Sequence, residues 1–371
     1  MRLLILQAGF EAGGAEKVIA KLAVHRAAAG DEVHVAALNA RTAASYFPYP
    51  VGVRLHALAG HKRSGHLARV GRIRQLLREL RPDLVIAFLT KVNAMTLAAA
   101  IGLDVPVIVS ERNNLQRQAM HPLWRPAQGL LMRRAAAIVL QTDRARQDLP
   151  RAQKRRAHVI PNSAQVLPGF APQGPDGQLR VVAVGRLDAQ KGFDLLIEAF
   201  SRLPSRRPSR LTIYGEGPER ARLEALRDRL GLGYRVSLPG ASTAPGGWIT
   251  EADMLVIPSR FEGFSNVTAE AAVTGVPLVA FDCAYGPREM IRDGQNGLLV
   301  PPEDVDGLAA AMARLIDDDG LRRSMTACAP VSRAALHPSR ILGQWDALIA
   351  GVMQRRPAPR QAPAVSSASS S

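Results

Sequence analysis

Two cationic side chains lie close together in "VGRLDAQKG", directly after the apolar run "RVVAV". They are Arg186 and Lys191. Ligands of open parallel sheets bind at the carboxyl ends of the strands, so both cations are expected at a ligand-binding edge. Fixed positive charges there would stabilise the negative charge on a departing diphosphate. The pattern therefore predicts a catalytic, diphosphate-binding pair; the alternative is an ordinary pair of surface cations.

Two carboxylates accompany a predicted helix in "SRFEGFSNVTAEAAVTG". The helix is expected to start near Ser265 and to end at Gly275, a residue suited to a C-cap. Glu270 then lies in the second turn, where it can accept hydrogen bonds from nucleotide hydroxyls, and Glu262 precedes the helix, where it can reach a sugar. Free backbone N–H groups at the helix start would face phosphates; they belong to Phe264, Ser265, Asn266 and Val267. The alternative is an acidic partner of the helix dipole beside a surface glutamate.

A third candidate is the glycine-containing loop "AGFEAGGAEK", which follows the first apolar run and opens a helix at about Gly14. The free N–H groups of a helix start favour an anion, so a phosphate is expected there. The glycines do not match G-x-G-x-x-G, and a tight strand-to-helix turn explains them as well.

These motifs lie on an alternation of short apolar runs and helical patterns, which predicts parallel α/β structure. The alternation stops at "VIPNSAQVLPGFAPQGPDGQ", whose prolines and glycines indicate a linker, and then restarts. We expect two Rossmann-like domains facing each other across a cleft, an N-terminal domain at 1–165 and a C-terminal domain at 178–338. A helix at about 339–355 is able to pack back on the N-terminal domain. The Pro-, Ala- and Ser-rich tail 357–371 is expected to be disordered.

Charge is divided unevenly between the two predicted domains. The formal net charge is +16, and residues 1–165 hold 25 Lys and Arg against 10 Asp and Glu, whereas residues 166–371 hold 23 against 22. Clusters of Arg and Lys recur in the first part, at Arg69, Arg72, Arg74, Arg78, Arg133, Arg134, Lys154, Arg155 and Arg156. A solvated face, an anionic membrane surface and a nucleic acid each remain open as explanations. The aromatic content of 5%, without interleaved basic residues, disfavours nucleic acid.

Composition limits the compartment. The two cysteines, Cys283 and Cys328, cannot build a disulfide framework, and Cys283 is interpreted as a small buried residue. No convincing cleavage site follows the first apolar run, and no charge-free stretch of about 18 apolar residues is present. We expect a cytoplasmic protein whose basic domain docks on the inner face of the cytoplasmic membrane.

Four segments, in order, resemble the retaining GT-B glycosyltransferases of family 4. They are "VGRLDAQKGFDLLIEAF", "IYGEGPER", "ADMLVIPSRFEGFSNVTAEAAVTGVPLVAFD" and "GPREMIRDGQNGLLVPPEDVDGLAAAM". The resemblance extends more thinly through "GGAEK" and "VIPNS". It implies a retaining hexosyltransferase that moves a sugar from a nucleotide sugar to a lipid-linked or polysaccharide acceptor. The combination of "SERNN" with "GPREMI" is similar to a branch that makes bacterial surface polysaccharides and lipopolysaccharide, which favours UDP-sugar donors.

The resemblance also assigns roles to residues. Arg186 and Lys191 would bind the donor diphosphate, Glu262 the donor sugar and Glu270 the ribose, with Gly14 near the phosphates. Gly185 and Gly215, within the matching segments, join the donor-binding candidates. Many family members carry a histidine where this sequence has Arg112, so that role stays unassigned. Glu289 matches a common acidic position and is a lesser candidate, with a helix-start glutamate as its alternative.

No metal or other cofactor is expected. The acidic groups at 303–306 and 317–319 are interpreted as loop or helix-end residues, and the two cations already serve the phosphates. Two other functions remain as alternatives. A nucleotide-sugar epimerase of the same architecture would bind the same donor but leaves the basic domain unexplained. A basic nucleic-acid-binding protein would explain the charge but not Glu262 and Glu270 in a cleft.

Overall fold

The computed structural model describes residues 1–11, 13–60, 65–112, 129–171, 177–204, 207–242 and 246–355. Within this part of the chain the strands form two separate sheets, and each recorded strand pairing is parallel. Helices connect successive strands, as the alternation of apolar runs predicts. The predicted tail 357–371 lies outside the described residues.

The N-terminal sheet has seven strands: β1 (Arg2–Gln7), β2 (Glu32–Ala37), β3 (Val53–Ala57), β4 (Leu84–Phe88), β5 (Val107–Ser110), β6 (Ala137–Leu140) and β7 (Ala157–Val159). Its described helices are α1 (Gly14–Ala28), α2 (His66–Leu80), α3 (Thr90–Ala99), α4 (Asp143–Gln147) and α5 (Arg151–Lys154). The strand order is β3-β2-β1-β4-β5-β6-β7. Strand order reverses between β1 and β4, and that reversal opens a crevice at the carboxyl ends of the strands.

The C-terminal sheet has six strands: β8 (Leu179–Val184), β9 (Ser209–Tyr214), β10 (Val236–Gly240), β11 (Met254–Ile257), β12 (Leu278–Phe281) and β13 (Gly297–Val300). Its helices are α6 (Phe193–Ser201), α7 (Arg220–Arg229), α8 (Asn266–Thr274), α9 (Val305–Asp317), α10 (Asp319–Ala327) and α11 (Ala329–Leu336). The order β10-β9-β8-β11-β12-β13 reverses between β8 and β11. The predicted fold class of two Rossmann-like domains is confirmed.

The last described helix, α12 (Pro338–Gln354), packs on the N-terminal domain although it follows the C-terminal one. Its apolar face joins the core formed by β1, β2, β4 and α1. The buried residues of that face are Ile341, Trp345, Leu348, Ile349 and Val352. The Trp345 ring lies 5.9 Å from the ring of Phe88 at the end of β4. The end of the described chain is thereby tied to the strand ends of the first sheet.

The structure differs from the sequence-based expectation at several elements. The edge strands β3 and β7 lie outside continuous apolar runs, because β3 contains Arg54 and His56 and the three residues of β7 include His158. Leu67, in the first turn of α2, is 88% exposed, although Ile73, Leu76 and Leu77 of the same helix are buried. Arg72 donates to the carbonyl of Leu58 and Arg74 to the carbonyls of Ala99 and Ile101, so these cations cover loop ends instead of extending freely into solvent.

No helix among the described residues is long and apolar enough to cross a membrane.

Candidate functional site

A buried ion pair lies at the carboxyl edge of the C-terminal sheet. Lys191 ends a short 3-10 turn (Ala189–Lys191) after β8, and Asp188 caps that turn by accepting from the Lys191 N–H at 3.3 Å. Lys191 Nζ donates to Glu262 Oε1 at 2.6 Å, and Ser259 Oγ donates to the same oxygen at 2.7 Å. The Glu262 side chain is only 5% exposed and that of Lys191 is 21% exposed. The structure therefore brings these two predicted site residues into contact.

The glycines beside this pair allow close backbone approach. Gly215 has φ +150°, and a Cβ there would lie 1.8 Å from the carbonyl oxygen of Gly185. A Cβ on Gly185 would itself lie 3.3 Å from the aliphatic chain of Lys191. Position 215 thus needs glycine for packing of the strand ends, whereas a side chain at position 185 would need only a small shift of the Lys191 side chain.

Arg186 occupies a different environment from Lys191. Its guanidinium pairs with Asp188 at 2.7 Å, and the side chain is 69% exposed. An exposed ion pair contributes little to stability, so the guanidinium can be redirected toward a ligand at small cost. Arg186 is exposed at the rim, whereas Lys191 is partly buried against Glu262.

The predicted helix after Glu262 is confirmed as α8. Ser265 is its N-cap: Ser265 Oγ accepts from the Thr268 N–H at 3.4 Å and from Thr268 Oγ1 at 2.7 Å. Gly275, with φ +97°, is its C-cap. The first N–H groups of any α-helix have no partner within the helix, so those of Asn266 and Val267 remain available at the positive end of the helix dipole. Half-buried Phe264 packs below them on an apolar cluster that includes Ala269 and Met290.

Helix α8 faces α1 of the other domain. A Cβ on Gly14 would lie 2.7 Å from Asn266 Nδ2, so glycine permits this approach of the two helix starts. Lys17 Nζ donates to Glu270 Oε1 at 2.9 Å across the same gap. The structure thus places Gly14, Asn266 and Glu270 together.

Two lysines of α1 were missed by the sequence reasoning. Lys17 and Lys21 line a narrow slot between the domains, with Glu270 and Ser163 opposite them. Burial lowers the pKa of the Lys21 ammonium, and the nearby charge of Lys17 lowers it further. The segment "GGAEK" could have indicated Lys17. This residue is three positions after Gly14 in the same helix, so its side chain lies on the same face, one turn further on.

The lesser candidates take part in contacts of other kinds. Glu289 lies in a short 3-10 turn (Pro287–Glu289), where its Oε1 accepts from the Arg144 N–H of the N-terminal domain at 3.3 Å. Burial raises the pKa of the Glu289 carboxyl. Arg112 follows β5, and its guanidinium contacts Ser110 and Asn162. Glu289 and Arg112 therefore both lie near the junction of the domains.

Acidic residues outside the cleft behave as helix caps. Asp304 accepts from the Gly307 N–H at 2.9 Å, and Asp318 accepts from the Leu321 N–H at 2.8 Å. Across the described ranges, no group of three or more His, Cys, Asp or Glu is arranged to hold a metal ion. Cys283 is buried, and burial together with the charge of Glu262 raises the pKa of its thiol to about 12. A thiol with that pKa is a poor nucleophile at neutral pH.

The two domains, each built on a parallel sheet, face each other across a cleft, which is a GT-B architecture. The lysine–glutamate pair and the second glutamate lie at this cleft. Two family models match the chain: "Glycosyl transferase 4-like domain" over residues 13–163 and "Glycosyl transferases group 1" over residues 178–318. The lipopolysaccharide core biosynthesis glycosyltransferase LpsD of Rhizobium meliloti is 30% identical over 263 residues, which are 69% of this chain and 71% of LpsD. The chain belongs to this glycosyltransferase family.

Further relatives match smaller shares. An exopolysaccharide phosphotransferase of Streptomyces coelicolor is 38% identical over 240 residues, 62% of this chain but only 25% of the relative. The N-acetylgalactosamine-N,N'-diacetylbacillosaminyl-diphospho-undecaprenol 4-alpha-N-acetylgalactosaminyltransferase of Campylobacter jejuni is 34% identical over 144 residues, 39% of each chain. The chain therefore spans only part of these two proteins.

Solved structures share the fold. The sucrose-phosphate synthase of Thermosynechococcus elongatus superposes with a TM-score of 0.79 at 19% identity, covering 95% of this chain and 99% of that one. HepE of Anabaena, solved in complex with UDP-glucose, superposes with a TM-score of 0.78 at 19% identity, covering 95% and 100%.

Proposed function

We propose that this chain is a retaining glycosyltransferase that moves a hexose from a UDP-sugar to a hydroxyl of a lipid-linked or polysaccharide acceptor in bacterial surface glycan biosynthesis. The observation that carries the proposal is the cleft itself. The start of α8 and Glu270 face Gly14 and Lys17 of the other domain, and the Lys191–Glu262 pair lies just before α8. Cations, free N–H groups and carboxylates are the groups that a nucleotide sugar needs.

Each part of a nucleotide sugar has a matching group in the cleft. The N–H groups of the first turn of α8 and the cations of Lys191 and Arg186 serve the diphosphate. Glu262, whose carboxylate is held by Lys191 and Ser259, serves the sugar hydroxyls. Glu270 serves the ribose hydroxyls. Its Oε1, which accepts from Lys17 Nζ in this structure, accepts from the ribose hydroxyls instead when the nucleotide binds. HepE, with the same fold, is solved with UDP-glucose, which supports a UDP-sugar as donor.

The chemical step follows from where charge develops. As the sugar–phosphate bond breaks, negative charge builds on the leaving diphosphate, and fixed donors lower the energy of that state. The acceptor hydroxyl then attacks from the same face and passes its proton to the leaving phosphate oxygen, so the anomeric configuration is retained. Closure of the domains would exclude water that hydrolyses the donor. The name of the Campylobacter relative specifies an alpha linkage and a diphospho-undecaprenol acceptor, which supports this choice of product and acceptor.

A thermal-shift panel of UDP, GDP, ADP and their sugars tests the donor class. A ligand at 100 times its dissociation constant adds about 2.7 kcal/mol to the free energy of unfolding. We expect UDP and one UDP-hexose to stabilise the protein, and Glu270→Gln to abolish the shift by UDP. The UDP-hexose found in this way is then incubated with undecaprenyl-diphosphate-linked saccharides, and NMR of the product reads the anomeric configuration. Epimer without transfer, or an inverted product, would overturn the proposal.

We also propose that the N-terminal domain docks on an anionic membrane surface, which brings the cleft to a lipid-linked acceptor. Several of its basic residues extend into solvent, including Arg78, Arg133 and Arg134. Each cation near an anionic leaflet contributes about 1 kcal/mol. Leu130 beside the last two is 65% exposed, which suits shallow contact with lipid. The localisation that follows is peripheral, on the inner face of the cytoplasmic membrane.

Co-sedimentation with vesicles tests this docking. Binding is expected to rise with phosphatidylglycerol content and to fall in high salt. Replacing Arg78, Arg133 and Arg134 by Gln should weaken binding, whereas replacing three exposed arginines of the C-terminal domain should not. Those control residues are Arg210, Arg229 and Arg323. Equal losses for both triple variants would show that only the total charge matters.

A further inference from the structure

Arg112 has an unusual environment for an arginine. Its Nε donates to Ser110 Oγ at 2.8 Å and its Nη1 donates to Asn162 Oδ1. Its guanidinium carbon lies 4.9 Å from the ring centre of Phe88 and 6.0 Å from that of Trp345. A cation over aromatic faces is attracted by their negative potential. The guanidinium is therefore held in one place by two hydrogen bonds and two rings.

No carboxylate pairs with Arg112 among the described residues, and the only acidic residue outside them is Asp176. Burial lowers the pKa of the guanidinium to about 9, so it still carries its proton at neutral pH. A protonated guanidinium is a donor only and has no acceptor atom. Any side chain that hydrogen-bonds to it must therefore present an acceptor atom, which for an amide is the oxygen.

This restriction determines the orientation of a chain of amides. Asn162, in the linker after β7, must turn its Oδ1 to Arg112, and its Nδ2 then donates to Asn266 Oδ1 at 2.6 Å. The Oδ1 of Asn266 is thereby occupied, and its Nδ2 faces Gly14 across the cleft. Gln141 packs beside the pair, and its amide satisfies both neighbours only when its oxygen is turned to them: that oxygen then accepts from Arg112 Nη1 at 3.2 Å and from Asn162 Nδ2 at 3.0 Å. Along the series Arg112, Asn162 and Asn266, each side chain therefore donates to the next one toward the cleft.

We propose that Arg112 is a positioning residue that orients the amides of Asn162 and Asn266, so that Asn266 presents N–H donors to the phosphates of the donor nucleotide. This inference rests on the proposed function, because it takes a nucleotide diphosphate as the ligand at the start of α8. Arg112 then acts through Asn162 and Asn266, without touching the sugar. Without Arg112, the amide of Asn162 can turn over, and the amide of Asn266 can follow and aim an oxygen at the phosphates.

The feature to test is that residue 112 only donates hydrogen bonds. The variants Arg112→Lys and Arg112→Met separate this property from packing, because both keep a long side chain but only lysine is a donor. Lysine is also a donor only, so Arg112→Lys should preserve the direction of the chain, whereas Arg112→Met should lose it. A hydrogen bond to a charged group contributes about 1.5–3 kcal/mol, so we expect Arg112→Met to weaken UDP binding about tenfold or more. Uridine, which lacks phosphates, should bind the wild type and both variants within about twofold. Isothermal titration measures both ligands.

Two further variants complete the design. Asn162→Ala should match Arg112→Met, and the double variant should be no worse than either single one, since both break the same chain. Arg74→Ala is the control: this guanidinium of the N-terminal domain donates to the backbone carbonyls of Ala99 and Ile101 and to neither Asn162 nor Asn266. It should leave the ratio of UDP to uridine affinity unchanged.

A readout without ligand separates this inference from the proposed function. Hydrogen exchange of the Asn162 side-chain amide, followed by NMR, should be slow in the wild type and in Arg112→Lys and fast in Arg112→Met and Asn266→Ala. Fast exchange in the wild type would overturn the chain of amides whatever the enzyme binds. Equal loss of UDP and uridine binding in Arg112→Met, or no rescue by Arg112→Lys, would overturn the orienting role. A wild type that binds none of UDP, GDP and ADP would refute the proposed function, and the phosphate role with it.

Discussion

Replacing Lys191 by Met tests two roles of this side chain, the neutralisation of Glu262 in the folded protein and the stabilisation of the leaving diphosphate in catalysis. Methionine keeps most of the length of the side chain but removes the charge that Glu262 Oε1 contacts at 2.6 Å. Ser259 Oγ still donates to that oxygen, yet a carboxylate that is 5% exposed loses its cation. Removing one partner of a buried ion pair costs about 3–5 kcal/mol. Because Lys191 is partly exposed, we expect the lower end, about 3 kcal/mol, in the free energy of unfolding.

That loss is large enough to measure by thermal unfolding. One kcal/mol shifts the melting temperature of a domain of this size by about 2–4 °C, so Lys191→Met should lower it by about 6–12 °C. Turnover should fall by about 10- to 1,000-fold, or about 1.4–4 kcal/mol in activation free energy, if Lys191 also stabilises the leaving diphosphate. We therefore expect Lys191→Met to lower both the melting temperature and the turnover rate.

The double variant Lys191→Met/Glu262→Gln separates the two effects. It removes the uncompensated charge, so most of the lost stability should return, while turnover should stay low. Wild-type stability in Lys191→Met would refute the argument from burial. Recovery of turnover in the double variant would refute the diphosphate role, because Lys191 would then only neutralise Glu262.

Three further predictions use other contacts. Glu270→Ala should weaken binding of free nucleotide, whereas Glu262→Ala should spare it and weaken binding of the sugar donor; isothermal titration distinguishes them, and equal losses would contradict the assignment. Activity should survive excess EDTA, and loss that magnesium or manganese restores would show a metal at the diphosphate. Burial, with the neighbouring charges of His34 and Arg54, lowers the pKa of His56 below its usual 6.5. The folded state thus binds fewer protons than the unfolded state, so stability should fall as pH drops below about 6.5; in urea melts at pH 5.5 and 7.5, His56→Gln should show a smaller pH dependence.

Local patterns in the sequence were sufficient for the elements that carry the site. Strands such as β11 and β12 are buried on both faces, and their continuous apolar residues are visible without a structure. Helix α8 begins and ends where its cap residues, Ser265 and Gly275, predict, because caps act within a few residues of chain. The position of Lys191 and Glu262 near strand ends follows from the same local signals. The linker composition likewise placed the division between the sheets.

Contacts between distant parts of the chain needed the tertiary structure. Lys17 and Glu270 are 253 residues apart, and only the packing of the two domains shows that they pair. The return of α12 puts Trp345 beside Arg112, which no local pattern indicates. The different environments of Arg186, which is exposed, and Lys191, which is partly buried, also depend on the tertiary contact between Lys191 and Glu262. Helix and strand propensity and helix capping depend on residues that are neighbours in sequence. Burial and charge pairing depend on which surfaces meet after folding.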